Sequence, residues 1–295
     1  MSPLNRRDFI AATAVAAAGS LAATSLARQP EPVKLKPPPP PPPGKGRLKQ
    51  SVCRWCYGSM KLDDLCVNAS AMGLQSVELL TEKEWDTPAK YGLACAIGMG
   101  PTSIPNGFNR LENHDKFITE LERMLPLAKA AGIPQIIVFS GNRKGMDDKE
   151  GLNNCAAGLK RITPAAEKHG VTIIMELLNS KVDHGDYMCD RTPWGADLVQ
   201  KVGSPRFKLL YDIYHMQIME GDVIHTIRDH FDSIAHYHTA GVPGRNELDE
   251  KQELNYHAIC EAIVAKGFTG YLAQEFIPKR DAMASLREAF RICDV

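Results

Sequence analysis

From residue 49 onward the chain alternates between short apolar runs rich in β-branched residues and longer segments of helical period. Strict alternation of this kind marks βαβ units, whose strands are parallel. The short runs fall near 50–54, 76–80, 94–98, 135–140, 172–177, 208–212, 234–239 and 271–276. The helical segments fall near 62–72, 113–131, 151–169, 193–202, 221–230, 255–266 and 282–292. Gly73, Gly132, Gly170 and Gly267 each follow a helical segment and precede a strand, where a residue of positive φ ends a helix. Eight strands in this pattern predict a single (β/α)8 barrel, an α/β fold. An open doubly wound sheet would carry a glycine-rich phosphate loop after its first strand, and no such loop stands at that junction.

The front of the chain does not join this pattern. Asn5-Arg6-Arg7-Asp8-Phe9-Ile10 places twin arginines before an apolar stretch, 11–23, that is too short and too alanine-rich for a stable membrane span. Ser25-Leu26-Ala27 offers a cleavage site. The segment resembles a twin-arginine signal, which implies export of a folded protein to the periplasm. Consecutive prolines at 37–43 then set a stiff polyproline II spacer. The chain therefore divides into a signal peptide (1–27), a proline-rich linker (28–46) and a barrel (47–295), with no stable membrane span expected in the mature protein.

Thirty-five basic residues balance 35 acidic ones, without a dense Lys/Arg run in the body, so the charge pattern argues against nucleic acid as a partner. The eight cysteines are scattered. Cys53-Arg54-Trp55-Cys56 has the spacing of a redox or metal pair, but it falls in the expected first strand with no second pair to complete a zinc site, which favours buried thiols.

In such a barrel the active site lies at the C-terminal ends of the strands. Four successive strands end there in polar residues: Glu176, Asp212, His238 and Glu275. Singly, each has a plain structural explanation, a helix cap for Asp212 or a buried, hydrogen-bonded ring for His238. Together, three carboxylates and an imidazole at one point would resist ionising unless a cation neutralised them. One divalent metal resolves the conflict. Oxygen-dominated donors with one imidazole suit Mn²⁺ or Mg²⁺ best, with Co²⁺, Zn²⁺ or Fe²⁺ as alternatives, because no thiolate stands at these four strand ends.

The stretches Met175-Glu-Leu-Leu-Asn-Ser-Lys-Val-Asp183, Tyr211-Asp-Ile-Tyr-His-Met-Gln217, His236-Tyr-His238 with Val242-Pro-Gly-Arg-Asn246, and Gln274-Glu275-Phe276 carry a resemblance. From about residue 49 to its end the chain resembles the hydroxypyruvate isomerase group of xylose isomerase-like barrels. That resemblance implies metal ligands at Glu176, Asp212, His238 and Glu275, and substrate contacts from His215 and Arg245. Many hydroxypyruvate isomerases carry glutamine where this chain has His238, whereas ketose 3-epimerases of the superfamily carry histidine.

The chemistry expected of these residue types is proton transfer. A cation chelating the carbonyl and adjacent hydroxyl of a small sugar or hydroxy-carbonyl substrate acidifies the C–H between them. Glu176 and Glu275, entering from different strands, then serve as catalytic base and acid around an enediolate. Interconversion of hydroxypyruvate and tartronate semialdehyde is the leading reading, with ketose 3-epimerisation as its rival. Glu78, Asn142 with Arg143, Asn179, Asp183 and His114 are weaker pocket candidates. An endonuclease IV-like nuclease would need further histidines and a basic rim, and a non-catalytic sugar-binding protein would show no hydrogen exchange. Self-association into a homo-oligomer stays open.

Overall fold

The computed structural model describes residues 45–295. The twin-arginine segment read over 1–27 and nearly all of the linker read over 28–46 lie outside the described residues.

The strands are β1 (Lys49–Cys53), β2 (Ser76–Glu78), β3 (Ile97–Met99), β4 (Gln135–Val138), β5 (Thr172–Glu176), β6 (Phe207–Asp212), β7 (Ile234–Thr239) and β8 (Tyr271–Gln274). All paired neighbours are parallel, in the order β2-β1-β8-β7-β6-β5-β4-β3. The barrel is nearly closed. Its remaining seam, between β2 and β3, is stitched by single bridges at Ser76–Ala94 and Leu80–Gly98.

That seam has a local cause. Leu79 turns the chain through the left-handed region, φ 57°, as it leaves β2. No α-helix follows: two short 3-10 turns, Glu82–Glu84 and Pro88–Tyr91, make the connection. Buried Trp85 fills the helix's place and donates from Nε1 to Leu80 O at 3.1 Å. A Cβ on Gly98 would stand 2.8 Å from its ring, so a glycine lets β3 run beneath the indole.

The remaining connections carry helices α1 (Leu62–Met72), α2 (His114–Ala130), α3 (Asp148–His169), α4 (Thr192–Val202), α5 (Ile213–Met219), α6 (Val223–His230), α7 (Tyr256–Ala265) and α8 (Ala282–Cys293). The four helix-ending glycines expected from sequence all have positive φ, between 71° and 97°. Two readings need correction. The first strand stops at Cys53, and Arg54–Tyr57 form a 3-10 turn held by the Arg54 guanidinium, which donates to Tyr57 O and Met60 O. The helix read over 221–230 is the second of two: α5 starts directly after β6, because the Asp212 carboxylate caps it by accepting from His215 N at 3.1 Å.

All eight cysteines are free thiols and seven are buried, with Cys56 partly so. Among the described residues no helix is long and apolar enough to cross a membrane.

Candidate active site and metal centre

Parallel register sets the site. On β6 and β7, Asp212 lies directly across from His238, while Glu176 closes β5 and Glu275 follows β8. Successive strands therefore deliver one donor each at the same end of the barrel. Glu176, Asp212, His238 and Glu275 are all buried, and each offers an atom within 4.8 Å of the others. His238 Nδ1 stands 3.0 Å from Glu275 Oε2 and 3.4 Å from Glu176 Oε1. The residues singled out as ligands thus come together.

Burial is unfavourable for this much negative charge. It pushes the Asp212 carboxyl well above the usual range, and the nearby Glu275 charge pushes further. Glu176 is raised by the same two causes in the same order. Burial also works against an ionised Glu275, but His238 and Arg245 outweigh it and hold that carboxyl well below its ordinary value. Glu176 Oε1 and Asp212 Oδ2 are buried without a hydrogen-bond donor. Buried acceptors lacking donors, gathered around one imidazole nitrogen, are the arrangement a divalent cation satisfies, so these residues fit a metal.

Two cationic or donor groups close around the carboxylates. Arg245 donates from Nη2 to Glu275 Oε2 at 2.6 Å and reaches within 3.6 Å of Asp212 Oδ2. Its guanidinium lies between two aromatic faces, 5.1 Å from the Trp55 ring and 5.4 Å from the Tyr214 ring, which fixes it by cation–π contact. Its Nε–H is buried and unpaired. His215 sits 3.6 Å from Asp212 Oδ2 through Nε2, which also lacks a partner.

The protonation of His215 follows from its neighbour. Asn179 Oδ1 accepts from Val182 N and Asp183 N, so its amide nitrogen faces the ring and donates to His215 Nδ1 at 2.6 Å. Burial, with Arg245 nearby, holds His215 well below its usual pKa, in the neutral form. With Nδ1 accepting, the proton is on Nε2, pointing toward the carboxylates. Asp183 completes the loop by accepting from Asn179 and Tyr214.

Asn179→Ala is accordingly expected to lower kcat/KM by about 10–100-fold, the scale of a misaligned donor. The same substitution in a His215→Gln background is expected to add little, since both act through one ring. Steady-state kinetics of the double-mutant cycle check this, and fully additive losses would sink it.

The weaker candidates separate. Glu78 is fully buried behind His238, with Oε1 2.9 Å from His238 Nε2. Asn142 and Arg143 serve the loop instead: Asn142 N donates to Pro105 O, and Arg143 pairs with Asp148 and Asp190 while binding Tyr187 O and Met188 O. His114 bonds Phe108 O at the start of α2. Three residues near the site escaped the sequence reading. Trp55 donates from Nε1 to Glu275 Oε1 at 2.7 Å, Tyr214 stacks on Arg245, and Cys53 Sγ lies 3.7 Å from His238 Nε2. Cys53 ends β1 and Trp55 follows it, so applying the strand-end rule to β1 would have found both. Burial pushes the Cys53 thiol well up, which keeps it a protonated neighbour.

Residues 68–293 match the family described as xylose isomerase-like TIM barrel. The chain belongs to that family. Within it the chain is hydroxypyruvate isomerase-like: it is 29% identical over 171 residues to a putative hydroxypyruvate isomerase of Homo sapiens. That match covers 56% of this chain and 62% of the human protein's length. Two solved structures share the fold. An AP endonuclease, family 2, from Brucella melitensis superposes with a TM-score of 0.74 at 21% identity, covering 81% of this chain and 97% of that one. A D-psicose 3-epimerase from Clostridium cellulolyticum H10 superposes with a TM-score of 0.70 at 15% identity, covering 84% and 100%.

Proposed function

We propose that this family member is a divalent-metal-dependent isomerase of small hydroxy-carbonyl compounds, interconverting hydroxypyruvate and tartronate semialdehyde. The observation that carries the reading is one buried cluster holding two separate glutamates, a metal-fitting donor set, and two unpaired donors, Arg245 Nε and His215 Nε2. Glu176, Asp212, His238 and Glu275 would hold the ion, with Mn²⁺ or Mg²⁺ favoured by the carboxylate-rich set. Bound there, a divalent ion supplies a Lewis acid for the substrate's carbonyl and hydroxyl oxygens.

The chain's own residues do the rest. One of Glu176 and Glu275 takes the proton from the hydroxymethyl carbon, and the other delivers a proton to the former carbonyl carbon. Negative charge on the enediolate oxygens is met by His215 Nε2–H and by Arg245, which also suit a substrate carboxylate. Arg245 helps keep Glu275 ionised, and Trp55 orients it.

Incubating the metal-supplied protein with hydroxypyruvate in D2O is expected to yield tartronate semialdehyde carrying solvent deuterium on carbon, read by proton NMR. A ketose 3-epimerase is the second reading, favoured by the imidazole at 238, and ketoses in the same panel separate the two. Absence of both product and deuterium uptake across the panel would remove the enzymatic reading. A twin-arginine leader would deliver this enzyme to the periplasm folded and metal-loaded.

A further inference from the structure

Both ring nitrogens of His238 are engaged, and they face different neighbours. Nδ1 looks to Glu275 and Glu176, while Nε2 lies 2.9 Å from Glu78 Oε1. Glu78 comes from β2, and its register partner on β1 is Cys53, whose thiol reaches the same oxygen at 3.9 Å. A second histidine approaches that oxygen: His236 Nε2 stands 3.0 Å from it, without the geometry of a hydrogen bond. His236 and His238 are two apart on β7, on one face, with rings 5.3 Å apart and near perpendicular at 89°. His236 is itself anchored, because Gln135 donates to Ala235 O and so turns its Oε1 to His236 Nδ1 at 3.0 Å. Glu78, His236 and His238 are all completely buried.

We propose that Glu78 is a positioning residue of the metal centre: its carboxylate accepts the Nε2–H of His238, so that Nδ1 is presented to the ion at a set angle. The proposal rests on the metal-dependent reading above. Such a carboxylate also raises the basicity of the ligating nitrogen. A second metal bound by Glu78, His236 and His238 is the competing explanation, since the three cluster closely. The 2.9 Å between His238 Nε2 and Glu78 Oε1 is an ordinary hydrogen-bond length, and the number of ions bound per chain separates the two explanations.

The test uses the full chain, wild type beside Glu78→Gln and Glu78→Leu, each stripped of metal and titrated with Mn²⁺ by calorimetry. Glu78→Leu is expected to weaken Mn²⁺ binding by about 10–100-fold and Glu78→Gln by about tenfold, with one ion per wild-type chain. Glu78→Gln, nearly isosteric, decides the matter if the leucine variant fails to fold. Binding by the glutamine variant within twofold of wild type, or two ions per wild-type chain, overturns the proposal. A second readout needs no metal. In protein labelled with 15N-histidine, His238 is expected to show a downfield, slowly exchanging Nε2–H proton that Glu78→Gln shifts or broadens away. Its absence in wild type overturns the positioning role even where Mn²⁺ binds; its presence with no Mn²⁺ binding by wild type establishes the hydrogen bond but overturns the metal-dependent reading, so the two failures are distinguishable.

Discussion

Glu176→Gln is expected to lower turnover by about a thousandfold while leaving the fold in place, the middle of the range for losing a positioned general acid or base. The two glutamates differ in their surroundings, and this separates catalysis from stability. Glu176 Oε1 lacks a donor, so amidation there removes charge without breaking a hydrogen bond at that oxygen. Glu275 accepts from Trp55 and Arg245. Glu275→Gln therefore removes the nearest counter-charge of the buried Arg245, leaving Asp212 at 3.6 Å, and a loss of stability of up to about 3–5 kcal/mol should accompany the loss of turnover. Thermal melts beside steady-state kinetics distinguish the two outcomes. Isotope exchange then assigns the roles. The variant lacking the base should neither turn over nor release substrate hydrogen to solvent, while the variant lacking the acid should exchange hydrogen without forming product. Either variant retaining more than about a tenth of wild-type turnover would contradict the proton-transfer assignment.

Chelation is expected to abolish activity outright, with recovery on adding Mn²⁺ or Mg²⁺. The physical reason is the balance of charge. Three buried carboxylates share His238 and Arg245 as their nearby cationic groups, and burial drives Asp212 and Glu176 toward the protonated form. A divalent ion at 100 times its Kd adds about 2.7 kcal/mol, which for a domain of this size is a rise in Tm of about 5–10 °C. Differential scanning calorimetry of stripped and reloaded protein measures it. No shift with any of Mn²⁺, Mg²⁺, Co²⁺, Zn²⁺ or Fe²⁺, together with full activity in chelator, would end the metal reading. Asp212→Asn should reproduce the effect of chelation, since Asp212 Oδ2 is free to face an ion while Oδ1 caps α5. For Asp212, the cap and the ligand readings are not alternatives: one oxygen serves each.

Strand and helix periodicity, with glycines of positive φ ending helices, were legible because they depend on nearest neighbours along the chain. The four strand-end donors were legible for a related reason. In a parallel barrel every strand runs the same way, so the residues at the C-terminal ends of the strands necessarily lie at one end of the molecule. Where local rules competed, reading by pattern fell short. By pattern Cys53–Cys56 falls in the first strand, but Arg54 bonds to Tyr57 O and Met60 O and folds the segment into a turn, which places Trp55 on Glu275. The helix α5 was hidden because it begins on the capping carboxylate itself, with no loop to announce it.

The parallel barrel and the four residues that meet at one end of it were thus legible in sequence alone, because repetition and parallel direction leave little freedom. Which groups orient those donors was decided by tertiary structure. Glu78 meets His238 from 160 positions away, Asn179 sets the proton on His215 from 36 away, and Arg143 turns to the loop over 47. Hydrogen bonds act over about 3 Å between side chains whose separation in sequence is arbitrary. Only closure of the barrel brings such partners within reach.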